Sequence, residues 1–298
     1  MANLGLQVYR LKDLEKQLGR SGYGLDVGLK CMYLQFHYDL SDREMEQRLR
    51  FDIAFKWSCG FTAFETTPDH SYFGRYRKLV GTKRIGKVFK GIVNRCKEQG
   101  CMRSIFQFAD ATRIITKNTT WQERDKAIKD GEEALSNRNI KKYSADPQAR
   151  FGCKGKSKLW FGYKEHVGVD MGSGLIESIA ATPANVSDQS GFQHVCPKDG
   201  QMVFGDKAYC LKLAQEAMKK NGAFSAAILR QNMIGKNKDL DRWRSGTRAP
   251  FEGVFSKFEK DTRYRGLAKV QMQLFTEAIV WNAKRLVKIN APPLFVCA

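Results

Sequence analysis

The chain has no CxxC pair, no run of 18 apolar residues and no apolar stretch behind its basic N-terminus. Each absence removes a class of protein. Of the eight cysteines (31, 59, 96, 101, 153, 196, 210, 297), only Cys96 and Cys101 lie close together, with no second pair or histidine cluster beside them. That spacing does not build a zinc site, and a chain of 298 residues needs no disulfide staples. The cysteines read as reduced thiols, and His37, His70 and His194 show no metal spacing. The opening MANLGLQVYRLKDLEK carries Arg10, Lys12 and Lys16 but no signal-peptide core. Nothing reaches the length a bilayer demands. The expectation is a cytoplasmic protein without membrane contact. There is no internal repeat and no low-complexity tract.

Acids are also scarce: 31 Asp plus Glu stand against 51 Lys plus Arg, a net charge of +20. With 42% hydrophobic and 11% aromatic residues the chain folds rather than staying disordered. A folded protein this basic suits a polyanion, most commonly nucleic acid.

The pattern divides near residue 100. Residues 1–100 read as an all-α domain. DVGLKCMYLQFHY (26–38) is apolar and helical, and Ser41 with Glu44 in LSDREMEQRLRF makes an S-x-x-E capping box. KRIGKVFKGIVNRC places Ile85, Val88, Phe89, Ile92, Val93 and Cys96 on one stripe, which Gly100 ends. Short basic helices of this kind suit DNA binding or dimerisation; helical packing without base contacts is the equal alternative. From 101 to 298 strands enter. SIFQFAD (104–110) is a short strand stopping on Asp110, and about 113–158 reads as a polar, largely helical insertion. WFGYKEHVGVD alternates Phe161, Tyr163, Val167 and Val169 on one face, MGSG turns it, and LIESIAATPAN returns as a hairpin. QMVFGD (201–206) is a second strand ending on Asp, followed by a helix closed by Gly222, the buried strand AFSAAIL and a final amphipathic helix.

This order predicts an α/β fold, a ribonuclease-H-like mixed sheet with flanking helices preceded by the all-α domain. If FQFAD and MVFGD are parallel neighbours, Asp110 and Asp206 leave the same sheet edge, where open α/β sheets place their sites. Beyond them, Phe251, Val254, Phe255 and Phe258 recur at helical spacing. They predict a helix with Pro250 in its first turn, carrying Glu252 over that edge. Singly, each acid has a bland explanation: an Asp caps a turn, and an early Glu complements a helix dipole. Together, three carboxylates repel unless cations neutralise them. Oxygen-only ligands suit magnesium or manganese, and two such ions serve phosphodiester chemistry. The residues therefore predict a metal-dependent enzyme acting on a nucleic-acid backbone, with Asp110, Asp206 and Glu252 as catalytic acids and metal ligands.

RFGCKGKSKLWFGYK (150–164) interleaves Arg150, Lys154, Lys156, Lys158 and Lys164 with aromatics. The cations suit DNA phosphates. Phe161 and Tyr163 read as core, and Trp160 fits either a core position or a stacked base. Lys207, directly after Asp206, is a candidate phosphate contact. Arg242, Arg244, Arg248, Lys257 and Lys260 around Glu252 read as DNA-facing, with a solvated surface as the alternative. His166 reads as a structural histidine.

Several of these stretches also resemble one family, the bacterial insertion-sequence DDE transposases, and within it the group named after insertion sequence five. LSDREMEQRLRFDIAFKWSCGF with TPDHSYFGRYR is similar to its helical N-terminal domain. FADAT, RFGCKGKSKLWFGYKEHVGVD, AATPANVSD, VFGDKAY and RAPFEGVF resemble its successive catalytic segments. The resemblance spans about residues 25–289. It implies that Asp110, Asp206 and Glu252 are the catalytic acids, with two magnesium or manganese ions per site. It implies DNA as partner, namely terminal inverted repeats and target, a homodimer or higher oligomer in the synaptic complex, and a place at the bacterial nucleoid. The implied reaction is water attack that frees 3′-hydroxyls at the element ends, followed by their in-line attack on target DNA. A domesticated nuclease and a catalytically silent DNA-binding regulator are the alternatives. Two positions depart from the family pattern: Ser245 stands where a Tyr is usual, and Glu259 where a Lys is usual.

Overall fold

Two units form along the chain, one up to Gly91 and one from Ile92 onward. The computed structural model describes residues 23–116, 120–155, 157–198 and 200–290. In the first unit, α1 (Leu25–His37), α2 (Asp42–Phe51), α3 (Ile53–Cys59) and the beginning of α4 (His70–Glu98) surround a core of Cys31, Met45, Leu49, Phe55, Cys59, Phe61 and Phe73. The capping box forms as expected. Ser41 Oγ accepts from the Glu44 amide, and Glu44 Oε2 accepts from the Ser41 amide. Asp52 caps α3 in the same way, accepting from the amides of Ala54 and Phe55. Arg77 then grips the Asp42 carboxylate with both terminal nitrogens, at 2.8 and 2.6 Å, tying α4 to the start of α2. α4 breaks at Gly81, whose φ of 65° and ψ of 167° suit only a residue without a Cβ.

In the second unit, β1 (Phe106–Ile115) is the central strand. It pairs antiparallel with β3 (Lys158–Asp170) and parallel with β5 (Met202–Phe204). On its other side β3 pairs antiparallel with β4 (Ile176–Pro183), while β2 (Arg150–Lys154) pairs with its first residues. β5 pairs parallel with β6 (Phe224–Ser225). The order β4-β3-β1-β5-β6, antiparallel on one side of β1 and parallel on the other, is the ribonuclease-H-like arrangement. One sheet face contributes Ala109, Ala180 and Val203 to a core with Phe192, Tyr209, Ala214 and Met218. Phe192 comes from the turn after α7 (Asp188–Gly191), Tyr209 from the turn after β5, and Ala214 and Met218 from α8 (Lys212–Asn221). Phe108 lies on the opposite face, stacked on Phe251 at the end of α9 (Lys238–Glu252), with ring centroids 6.1 Å apart. The last helix, α10 (Leu267–Asn290), is fastened to β4 by Asn282. That side chain accepts from the Ile176 amide at 2.7 Å and donates to the Ile176 carbonyl at 2.9 Å, standing in for a further strand. No helix of the described residues is long and apolar enough to cross a membrane.

Four expectations need correction. β1 does not stop on Asp110 but runs to Ile115, because its ladder with β3 continues that far. The segment expected to be a largely helical insertion is helical, among its described residues, only over α5 (Trp121–Lys129) and α6 (Ile140–Tyr143), and it ends in strand β2. The buried strand at AFSAAIL is paired only at Phe224–Ser225. The helix expected to begin at Pro250 instead begins at Lys238, capped by Asn237, and ends at Glu252. The apolar spacing that suggested a later helix is met by a 3-10 turn over Gly253–Lys257 and an extended Phe258.

β3 is covered on both faces, so Glu165 and His166 are both fully buried. His166 Nε2 shares a 2.8 Å hydrogen bond with the Thr182 hydroxyl, and burial pushes its pKa down to about 4, which makes it a neutral structural residue. Neither Glu165 oxygen has a hydrogen-bond partner among the described residues, and burial pushes its pKa up to about 8. Glu277 of α10 shifts the same way, through its own burial and the Glu165 charge. An acid with a higher pKa folded than unfolded takes up a proton on folding, so stability falls as pH rises between the two values. For Glu165 that window runs from about 4.5 to about 8, with a limiting slope of about 1.4 kcal/mol per pH unit. Thermal unfolding should therefore shift to lower temperature across this window, and Glu165→Gln should shrink the shift. A melting temperature that rises with pH there would contradict the assignment.

Candidate active site

The parallel pairing of β1 with β5 ends at the pair Phe108 and Phe204. Asp110 and Asp206 each follow two residues later, so the chain sets them side by side where the two strands part. Asp110 continues in β1, opposite Val167 of β3. Asp206 lies in a turn that its own carboxylate stabilises, accepting from the Ala208 amide at 2.7 Å. The end of α9 comes over Asp110 because Phe251 stacks on Phe108, and Phe255 meets the same ring edge-on at 6.5 Å. This brings Glu252 to the site from the C-terminal end of a helix, so it does not serve the dipole of an N-terminus.

One turn before Glu252, Arg248 joins two of the acids. Its Nη2 lies 3.4 Å from Asp110 Oδ2 and 3.5 Å from Glu252 Oε1, and its guanidinium sits over the Phe108 ring at 5.6 Å. The arginine side chain is only 7% exposed, whereas Glu252 is 57% exposed. Burial pushes the Asp110 pKa up to about 6; the Ala111 amide and Arg248 pull it down, while the Asp206 and Asp188 charges push it further up. Among the described residues no three His, Cys, Asp or Glu side chains already stand in a metal-holding group. Arg248 occupies the position between Asp110 and Glu252 and supplies positive charge there. The donor set around it is carboxylate oxygen alone, which fits magnesium or manganese rather than zinc.

Two residues at the site escaped the sequence reading. Asp188, at the first position of α7, accepts from Lys164 Nζ at 2.8 Å, and its charge reaches Asp110. Tyr209, three residues after Asp206, is fully buried. Both lie in short turns that carry no periodic signal. Their only mark in the sequence was a place inside AATPANVSD and VFGDKAY.

The basic candidates divide by exposure. Lys154 and Lys158 are exposed and face each other across the β2–β3 hairpin. Lys207 and Lys260 are exposed as well. Lys156 and the side chain of Lys257 lie outside the described residues. Arg150 is half-buried and donates to the carbonyls of Pro147 and Ala149. Trp160 is only 8% exposed, with Nε1 donating to the Tyr163 carbonyl, so its ring is packed inside and not offered to a base. Arg244 is not on an open face either: it donates to the Ala227 carbonyl at 3.1 Å and pairs with Asp241. Arg248 sits within the acid site rather than on a DNA-facing surface. Glu259, where the family pattern has Lys, turns to Arg263 in a half-buried ion pair.

Against known proteins, a family model described as Transposase DDE domain matches residues 108–283, and one described as Transposase domain (DUF772) matches residues 7–79. Among solved structures, a chain of the piggyBac transposase synaptic complex with hairpin DNA, determined by cryo-EM, aligns over 91% of this chain and 68% of that chain, at 7% identity and a TM-score of 0.43. The DDE-domain match covers more than half of the protein, from β1 into α10, and includes Asp110, Asp206 and Glu252. The chain belongs to the transposase DDE domain family, the insertion-sequence DDE transposases.

Proposed function

We propose that this protein cleaves DNA at the ends of an insertion sequence and joins the freed 3′-hydroxyls to target DNA. The observation that carries the reading is the convergence of Asp110 and Glu252 on one Arg248 nitrogen, at the point where β1, which bears Asp110, parts from β5, which leads to Asp206. Asp110, Asp206 and Glu252 would hold magnesium or manganese, two ions per site, which supply positive charge to the attacking and leaving oxygens of a phosphodiester. Arg248 keeps Asp110 and Glu252 together beforehand and limits their repulsion. Once the acids are otherwise neutralised, its guanidinium is free for a backbone phosphate. Asp110 ionises above a pH of about 6, so it is ready to act as a ligand at neutral pH.

Lys154, Lys158, Lys207 and Lys260 present exposed cations for DNA phosphates, and Lys156 and Lys257 extend the set by sequence. The helical unit before Gly91 takes the DNA-binding and dimerising role, and a homodimer or higher oligomer brings two element ends together. The enzyme works in the bacterial cytoplasm, at the nucleoid.

Asp110→Ala, Asp206→Ala and Glu252→Ala should each reduce cleavage to background with DNA binding retained. With linear element ends and a target plasmid, magnesium should give joined products and calcium only a stable complex. Cut but unjoined ends from the native protein would mark a nuclease, and joining in EDTA would refute the metal reading. Lys154→Ala with Lys158→Ala should flatten the dependence of log K on log salt by about 0.9 per lost phosphate contact; an unchanged slope would make the hairpin a solvated surface. Removing a cation beside a carboxylate raises its pKa. In Arg248→Gln, the Asp110 midpoint, followed by carboxyl-carbon NMR, should move above about 6.

A further inference from the structure

Tyr209 lies three residues after Asp206, in the turn that leads to α8. Its ring is fully buried and meets Phe192 edge-on, with centroids 5.2 Å apart. The chain makes room for it: a Cβ on Gly205 would fall 2.6 Å from the ring. The Tyr209 amide donates to the Asp206 carbonyl at 3.1 Å, while Asp206 Oδ1 holds the Ala208 amide. The ring and the Asp206 carboxylate are therefore parts of one turn and keep a fixed relation.

At the end of this well-placed ring, the hydroxyl is buried and has no hydrogen-bond partner among the described residues. Phenylalanine would fill the same space without stranding a polar group, so the oxygen is a cost to folding. The charges that act on it are Asp110, Asp188, Asp206 and Arg248, the same ones that surround the acid site. The acids offer only acceptors when ionised, and burial keeps the phenol protonated well past neutral pH, so the hydroxyl is a standing donor.

We propose that Tyr209 is a positioning residue of the acid site, whose hydroxyl donates to a water brought in by a hydrated divalent cation held at Asp110 and Asp206. This rests on the acids being the cation site. Outer partners of this kind fix the geometry of a metal's ligands, and their removal weakens binding about 10- to 100-fold. Tyr209→Phe deletes only the oxygen and keeps the ring.

The test is a manganese titration of the full-length protein without DNA, followed by thermal unfolding, on the native chain, Tyr209→Phe and Asp206→Asn. Without metal, Tyr209→Phe should unfold at the native temperature or above it, since it loses an unmet polar group. Its half-stabilising manganese concentration should rise about tenfold or more, and Asp206→Asn should show no manganese response. A native manganese midpoint in Tyr209→Phe would overturn the proposal. So would a drop in its metal-free melting temperature, which would show that the hydroxyl is bonded within the protein. A native response in Asp206→Asn would instead overturn the acid site itself.

Discussion

The ladder between β1 and β3 runs from Gln107 to Ile115, whereas the ladder between β1 and β5 ends at Phe108. This inequality is the constraint on which the acid site depends. Up to Phe108 the central strand is held on both sides; beyond it, one side is free. Asp110 is fixed by β3 yet faces the gap that β5 vacates, and the chain leaving β5 turns at Asp206 to line the same gap. Parallel neighbours that end together would leave both acids on a loose edge. A long antiparallel partner keeps one of them rigid.

Charge at this gap is balanced by pairing, since an uncompensated buried carboxylate is expensive. Arg248 serves Asp110 and Glu252, and Lys164 serves Asp188. Among the described residues, two buried polar atoms without a hydrogen-bond partner also lie here, Arg248 Nε and the Tyr209 hydroxyl. Buried groups without partners are uncommon and carry a cost to stability. Away from the site, both oxygens of Glu165 are unmet among the described residues, as is Oε2 of Glu277, whose Oε1 accepts from Gln273; nothing in the structure explains why acids stand there.

The sheet was legible because its strands carry apolar runs and its helices carry caps. FQFAD, WFGYKEHVGVD and MVFGD gave the strand order, and Ser41 with Glu44 gave a helix start that forms atom for atom. The three acids were legible as a set because two ended matching runs and the third fell on a later segment. The helix bearing Glu252 was misplaced by a dozen residues. Pro250 reads as a first-turn residue by local rule, but the segment before it has an Asn237 cap and packs Trp243 against Phe204, which outweighs one proline in the last turn. Arg244 and Arg248 were misjudged as surface, and Trp160 was left open between core and a stacked base, for a common reason. A basic or aromatic side chain carries no sequence mark for which way the backbone turns it.

The clasp between Asn282 and Ile176 joins residues 106 positions apart. β4 is an edge strand, and such edges invite pairing with other chains unless they are covered. During synthesis, β4 leaves the ribosome long before the helix that closes it, at roughly 5–20 residues per second. For that interval the half-made sheet carries an open margin. A product cut short before Asn282, by a premature stop or a frameshift, keeps that margin permanently. Even with all three acids present, it emerges as a sticky fragment instead of a working recombinase.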